Sequence, residues 1–72
     1  MEKKVIIKSE YIKLDSALKC AGYVNTGGHA KTVIQNGEVK VNGQVCLQRG
    51  KKLRGGDCAE YNGKSFIIEY AG

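Results

Sequence analysis

The chain has no proline and a single histidine, His29. It has three cysteines, and no hydrophobic run long enough to cross a membrane. Each shortage removes a class of protein. Without a Pro-rich or low-complexity stretch there is no linker, and 72 residues allow one domain. Such a domain has a stability of roughly 3–5 kcal/mol and no room for a deep active-site cleft beside its core. Cys20, Cys46 and Cys58 are odd in number and widely spaced, with no C-x-x-C pair. That fits neither a disulfide framework nor a structural zinc site, and it points to reduced thiols in a cytoplasmic protein. The apolar run in Met-Glu-Lys-Lys-Val-Ile-Ile-Lys is too short for a signal peptide, so the chain reads as complete, with no membrane partner. His29 has no serine or cysteine beside it in a nucleophile arrangement, and Asp57 and Glu60 read as solvated. The expectation is a protein with no catalytic residues, no metal and no cofactor.

What is present is positive charge: 12 Lys and Arg against 7 Asp and Glu, a net +5. That balance favours an anionic partner. Four of the six residues from Arg49 to Arg54 are basic.

The stretch from Thr26 to Gln44 organises the rest. Thr26 can cap a helix with its hydroxyl, and Gly37 can end that helix in the left-handed conformation. Asn42-Gly43 is a two-residue hairpin signal, because a type I′ turn needs positive φ at both central positions. Ala30, Val33 and Ile34 share one helix face, and Val39 and Val41 share one strand face. Upstream, Val5-Ile6-Ile7 reads as a strand over Lys4–Lys8, and Glu10 to Lys13 as a connector or helix entry. Leu14, Ala17, Leu18 and Ala21 form a helical stripe closed by Gly22, with Asp15 and Lys19 placed to suit the helix dipole. Downstream, Val45 and Leu47 are expected to pair back against Val39 and Val41. Gly55-Gly56-Asp57 reads as a turn, Cys58 to Tyr61 as a strand, Asn62-Gly63 as a second hairpin turn, and Lys64 to Tyr70 as the last strand. The architecture that follows is α+β: two short helices packed on a small, mostly antiparallel sheet, with the first strand beside the last.

The basic run is expected to lie beside a second helix that presents His29, Lys31 and Gln35, with Lys40 between them. Together they form one patch able to follow a phosphate backbone. Gly27-Gly28 has two readings. It can make the inter-helix turn compact, which is the favoured one, or it can hold an RNA phosphate at the helix start. The four tyrosines read mainly as packing.

The combination Leu14-Asp15-x-x-Leu18-Lys19-x-x-Gly22, Thr26-Gly27-Gly28-His29-Ala30-Lys31-x-Val33-Ile34-x-x-Gly37-x-Val39-x-Val41-Asn42-Gly43 and Lys52-Leu53-x-x-Gly56-Asp57 resembles the RNA-binding domain first described in small-subunit ribosomal protein S-four. The resemblance runs from about Ile12 to Tyr61, and its compact form is similar to small stand-alone bacterial members. It implies an αL motif, in which two helices and a following hairpin grip structured RNA such as rRNA or tRNA, with no attached enzyme. It implies a role in ribosome assembly or RNA regulation; separately, the chain is expected to be a monomer. Carried onto this sequence, the RNA-facing residues are Thr26, Gly27, Gly28, His29, Lys31, Lys40, Gln44, Lys51 and Lys52, with Arg49 and Arg54 flanking. One departure stands out: many members carry Arg where Gly27 stands and an acid where His29 stands. Two rival readings remain, a helix-turn-helix DNA binder and a module docking on an acidic protein partner.

Overall fold

The structure, a computed structural model, describes residues 3–72. Met1 and Glu2, the head of the stretch tested as a signal peptide, lie outside the described residues. Nine elements follow in order: β1 Lys3–Ile7, β2 Ile12–Lys13, α1 Leu14–Cys20, α2 Gly27–Gln35, β3 Val39–Val41, β4 Gln44–Val45, β5 Lys52–Leu53, β6 Cys58–Tyr61 and β7 Lys64–Tyr70. Five strands form one sheet in the order β1-β7-β6-β3-β4; β2 and β5 form a separate ribbon. The first strand does lie beside the last, and that pair is parallel while every other pair is antiparallel.

Period-two alternation decides which sheet face is covered. Val5, Ile7, Val39, Val41, Ala59, Phe66 and Ile68 are buried, and the residues between them are more exposed. Against them pack Leu14, Ala17 and Leu18 of α1 and Ala30, Val33 and Ile34 of α2. Phe66 is fully buried and stacks on Tyr23, with ring centroids 5.6 Å apart. The Tyr23 hydroxyl donates to the Ser65 carbonyl at 2.6 Å, so this half-buried tyrosine packs its body and satisfies its tip.

Both helices end by the same device. The Tyr23 and Glu38 N–H groups reach back to Leu18 and Val33, while the Gly22 and Gly37 N–H groups bond Lys19 and Ile34. This Schellman arrangement needs a left-handed residue, and Gly22 and Gly37 have φ of +79° and +77°. Both Asn-Gly turns are type I′, with positive φ at Asn42, Gly43, Asn62 and Gly63.

One expectation fails and another is incomplete. The two-residue turn at Asn42-Gly43 sets Lys40 opposite Val45 and Val41 opposite Gln44, and the Cys46 N–H bonds the Val39 carbonyl. Val45 and Leu47 therefore do not pair with the two valines; Cys46 packs at the core margin, and both apolar side chains are left exposed. The expected pairing was one residue out of register, which in a strand reverses the face. Second, Glu10 to Lys13 is the entry to a helix, ending at Lys13 in the N-cap position of α1, but it also holds a strand: Ile12 and Lys13 pair with Leu53 and Lys52. No disulfide joins Cys20, Cys46 and Cys58, and among the described residues no helix is long and apolar enough to cross a membrane.

Candidate nucleic-acid interface

The basic run is held by its backbone. Helix α1 starts at Leu14 with Lys13 in the N-cap position, and Lys13 supplies no side-chain cap. Two of the open N–H groups of its first turn are instead met from outside the helix: Leu14 N–H bonds the Lys51 carbonyl at 2.9 Å, and Asp15 N–H bonds the Arg49 carbonyl at 3.1 Å. These bonds fix the run against the first helix, whereas the sequence placed it beside the second. Beyond it, the Asp57 carboxylate accepts from the Arg54 N–H at 2.7 Å and from the Asn42 side-chain amide at 3.2 Å. The Asn42 amide oxygen in turn accepts from the Cys58 N–H at 2.9 Å. Asn42 thus forms the β3–β4 turn and ties it to the loop after the basic run.

The β2–β5 ribbon sets Lys13 directly opposite Lys52. Like charges in this position repel and destabilise the pair. The Lys52 ammonium sits 4.8 Å from the centroid of the Tyr11 ring, and the Arg54 guanidinium carbon 5.9 Å from it. The negative face of the ring offsets part of the repulsion. Among the described residues the one ion pair is Lys4 with Glu69, at 3.8 Å. Lys13, Arg49, Lys51, Lys52 and Arg54 are all exposed, and none has a carboxylate partner among the described residues. Lys13 and Tyr11 are the residues the sequence reading missed. The signal lay in Tyr11-Ile12-Lys13 as a polar–apolar–polar triplet, but a two-residue strand is too short to announce itself.

The other expected site residues fall into separate places. Thr26 caps α2, its hydroxyl oxygen accepting the His29 N–H at 3.0 Å. Gly27, Gly28, His29 and Lys31 are exposed along the first turns of that helix. A Cβ added at Gly27 would meet nothing within 4 Å, and one at Gly28 would meet only the Thr26 hydroxyl at 3.9 Å. Steric crowding in the fold therefore does not require glycine at either position. Lys40 faces away from the core between buried Val39 and Val41, directly opposite Glu60. It lines a shallow depression with Glu60 and Ser65, whereas Gln44 and Lys51 line a different cleft. On its other side Lys40 stands directly opposite Val45, which lines the cleft that holds Gln44 and Lys51. No group of three or more His, Cys, Asp or Glu able to hold a metal occurs among the described residues.

Fold and surface together define a small α+β domain with two helices, a following hairpin, and a cluster of unpaired cations beside the first helix. The sequence model of the S4 domain matches residues 5–69, and the chain belongs to the S4 domain family. It is 38% identical over 63 residues to the "Probable ribosome maturation protein RlbA" of Bacillus subtilis (strain 168), covering 88% of this chain and 89% of that protein. Its fold is similar to the solution structure of YbcJ from E. coli, described as having an αL motif involved in RNA binding. That likeness has a TM-score of 0.74 at 27% identity, over 96% of this chain and 89% of the other.

Proposed function

We propose that the protein is a non-catalytic RNA-binding protein that grips structured RNA, ribosomal RNA in the first place, and serves ribosome maturation. The observation that carries this reading is the set Lys13, Arg49, Lys51, Lys52 and Arg54, exposed with no acid in ion-pair range among the described residues and with two of its members directly opposed. A fold that keeps such an arrangement sacrifices stability, and an RNA phosphate placed between the lysines would reverse the sign of the interaction. The shape of the cluster, built on a short ribbon and a helix end, suits the phosphates of folded RNA, since side chains cannot read the deep groove of an A-form helix. The family and the two similar proteins support the same reading.

A second group, Thr26, Gly27, Gly28, His29 and Lys31, extends the surface onto α2. Glycines that the fold does not need are suited to close approach by an RNA backbone. Of the remaining expected contacts, Gln44 lines the same cleft as Lys51, and Lys40 stands across the sheet from Glu60 on one side and Val45 on the other.

The test is a salt titration of binding to a structured rRNA fragment beside a DNA duplex of equal length. Tighter RNA binding is expected, and the Lys51→Ala/Lys52→Ala variant should lower the log–log salt slope by about 1–2, at about 0.7–0.9 per phosphate contact. Equal, weak binding of both nucleic acids with an unchanged slope in the variant sinks the reading.

A further inference from the structure

Between the β3–β4 hairpin and the segment that follows it lies a cleft of about 460 Å³, within the size range of small-molecule sites. Two of its walls are Val45 and Leu47, 54% and 59% exposed in a chain that buries most of its other large apolar side chains. Both lean over the end of α2: a Cβ at Gly37 would lie 3.7 Å from Val45 and 3.9 Å from Leu47. The polar lining includes Gln44 and Gln48, whose side-chain amides have no hydrogen-bond partner among the described residues. Lys51 adds a cation to the lining, and no acidic residue among the described residues lines the cleft.

We propose that this cleft seats one unpaired base of the bound RNA, with Val45 and Leu47 against its flat face, Gln44 and Gln48 on its hydrogen-bonding edge and Lys51 on its phosphate. The inference rests on the RNA-binding reading and deepens it. A ligand for this site must combine an apolar face, an edge that both donates and accepts, and negative charge. A nucleotide has all three, and a glutamine amide supplies one donor and one acceptor in a plane, as a base edge demands. The positive margin is continuous with the Arg49–Arg54 cluster through Lys51, so an RNA held there by its phosphates passes the mouth of the cleft. A base stacked inside an A-form duplex cannot enter, whereas one from a loop or bulge can splay out and do so.

The experiment compares two RNAs with the same number of phosphates. One is a hairpin carrying the fluorescent adenine analogue 2-aminopurine in its loop, and the other is a fully paired duplex. The wild-type protein is expected to prefer the hairpin by about tenfold, the size of one good bidentate base contact, and to change the 2-aminopurine emission on binding. Gln44→Ala/Gln48→Ala, confirmed folded by circular dichroism, should bring the preference close to unity while leaving the salt slope at its wild-type value. Leu47→Ser should lower the preference in the same direction. If wild type binds both RNAs equally with a full salt slope, the cleft proposal falls while RNA binding stands. It falls likewise if the glutamine variant keeps the hairpin preference and the emission change. If neither RNA shows salt-dependent binding, both readings fall.

Discussion

Replacing Lys13 by Gln should make this protein more stable and a poorer ligand for RNA. Lys13 suffers twice in the free fold. It stands directly opposite Lys52, and it occupies the N-cap of α1, where the helix dipole disfavours a cation. Cross-strand like-charge relief is worth roughly 0.2–1 kcal/mol and removal of a cation from a helix N-terminus roughly 0.3–1. Lys13 is exposed, so water screens both effects and the lower half of the combined range applies, about 0.5–1 kcal/mol at low ionic strength. For a domain of this size that raises Tm by roughly 2–8 °C. Thermal melts at low salt should show the gain, and melts near 1 M salt should largely erase it, because the Debye length there is only about 3 Å. In the RNA titration the same variant should lose affinity, with its salt slope lower by roughly 0.7–0.9. A variant that is neutral or destabilised at low salt, or one that binds RNA with the wild-type slope, would show that the opposed lysines are not an anion site.

Gly27→Ala should stabilise the fold by about 0.4–1 kcal/mol, since its helical backbone has space for the methyl group and the unfolded chain loses freedom; if α2 meets an RNA backbone there, RNA affinity falls while Tm rises. Asn42→Ala removes two side-chain hydrogen bonds and puts alanine at φ +52°, so a loss of about 2–4 kcal/mol is expected in urea unfolding. Asn42→Gly keeps the turn geometry and should lose less; the reverse order would mean the turn does not depend on left-handed backbone. Phe66→Ala should cost about 3–5 kcal/mol, as much as the whole domain possesses, so circular dichroism should report a largely unfolded chain at room temperature. Tyr11→Leu should weaken RNA binding and Tyr11→Phe should not, because only the ring face holds Lys52 and Arg54; equal behaviour of the two in the titration would leave Tyr11 as packing alone.

The sequence by itself determined the elements whose cause is local. Helix ends were legible at Thr26, Gly22 and Gly37, because capping and left-handed backbone are properties of one residue and its near neighbours. Both hairpins were legible at Asn42-Gly43 and Asn62-Gly63 for the same reason, and the apolar stripes of α1 and α2 named the buried faces. The register of the first hairpin is encoded too, since a two-residue turn admits one pairing, even though the alternation of Val45 and Leu47 matches that of Val39 and Val41. Tertiary structure alone decided the rest. It brought Ile12-Lys13 to Lys52-Leu53 across some forty residues, and no local signal encodes such a pair when each strand is two residues long. It docked the carbonyls of Arg49 and Lys51 on the first helix, because the open N–H groups there needed acceptors and Lys13 offers none. Charge was countable in the sequence; which cations face one another, and which, like Lys40, face an acid instead, depended on how the strands came to lie side by side.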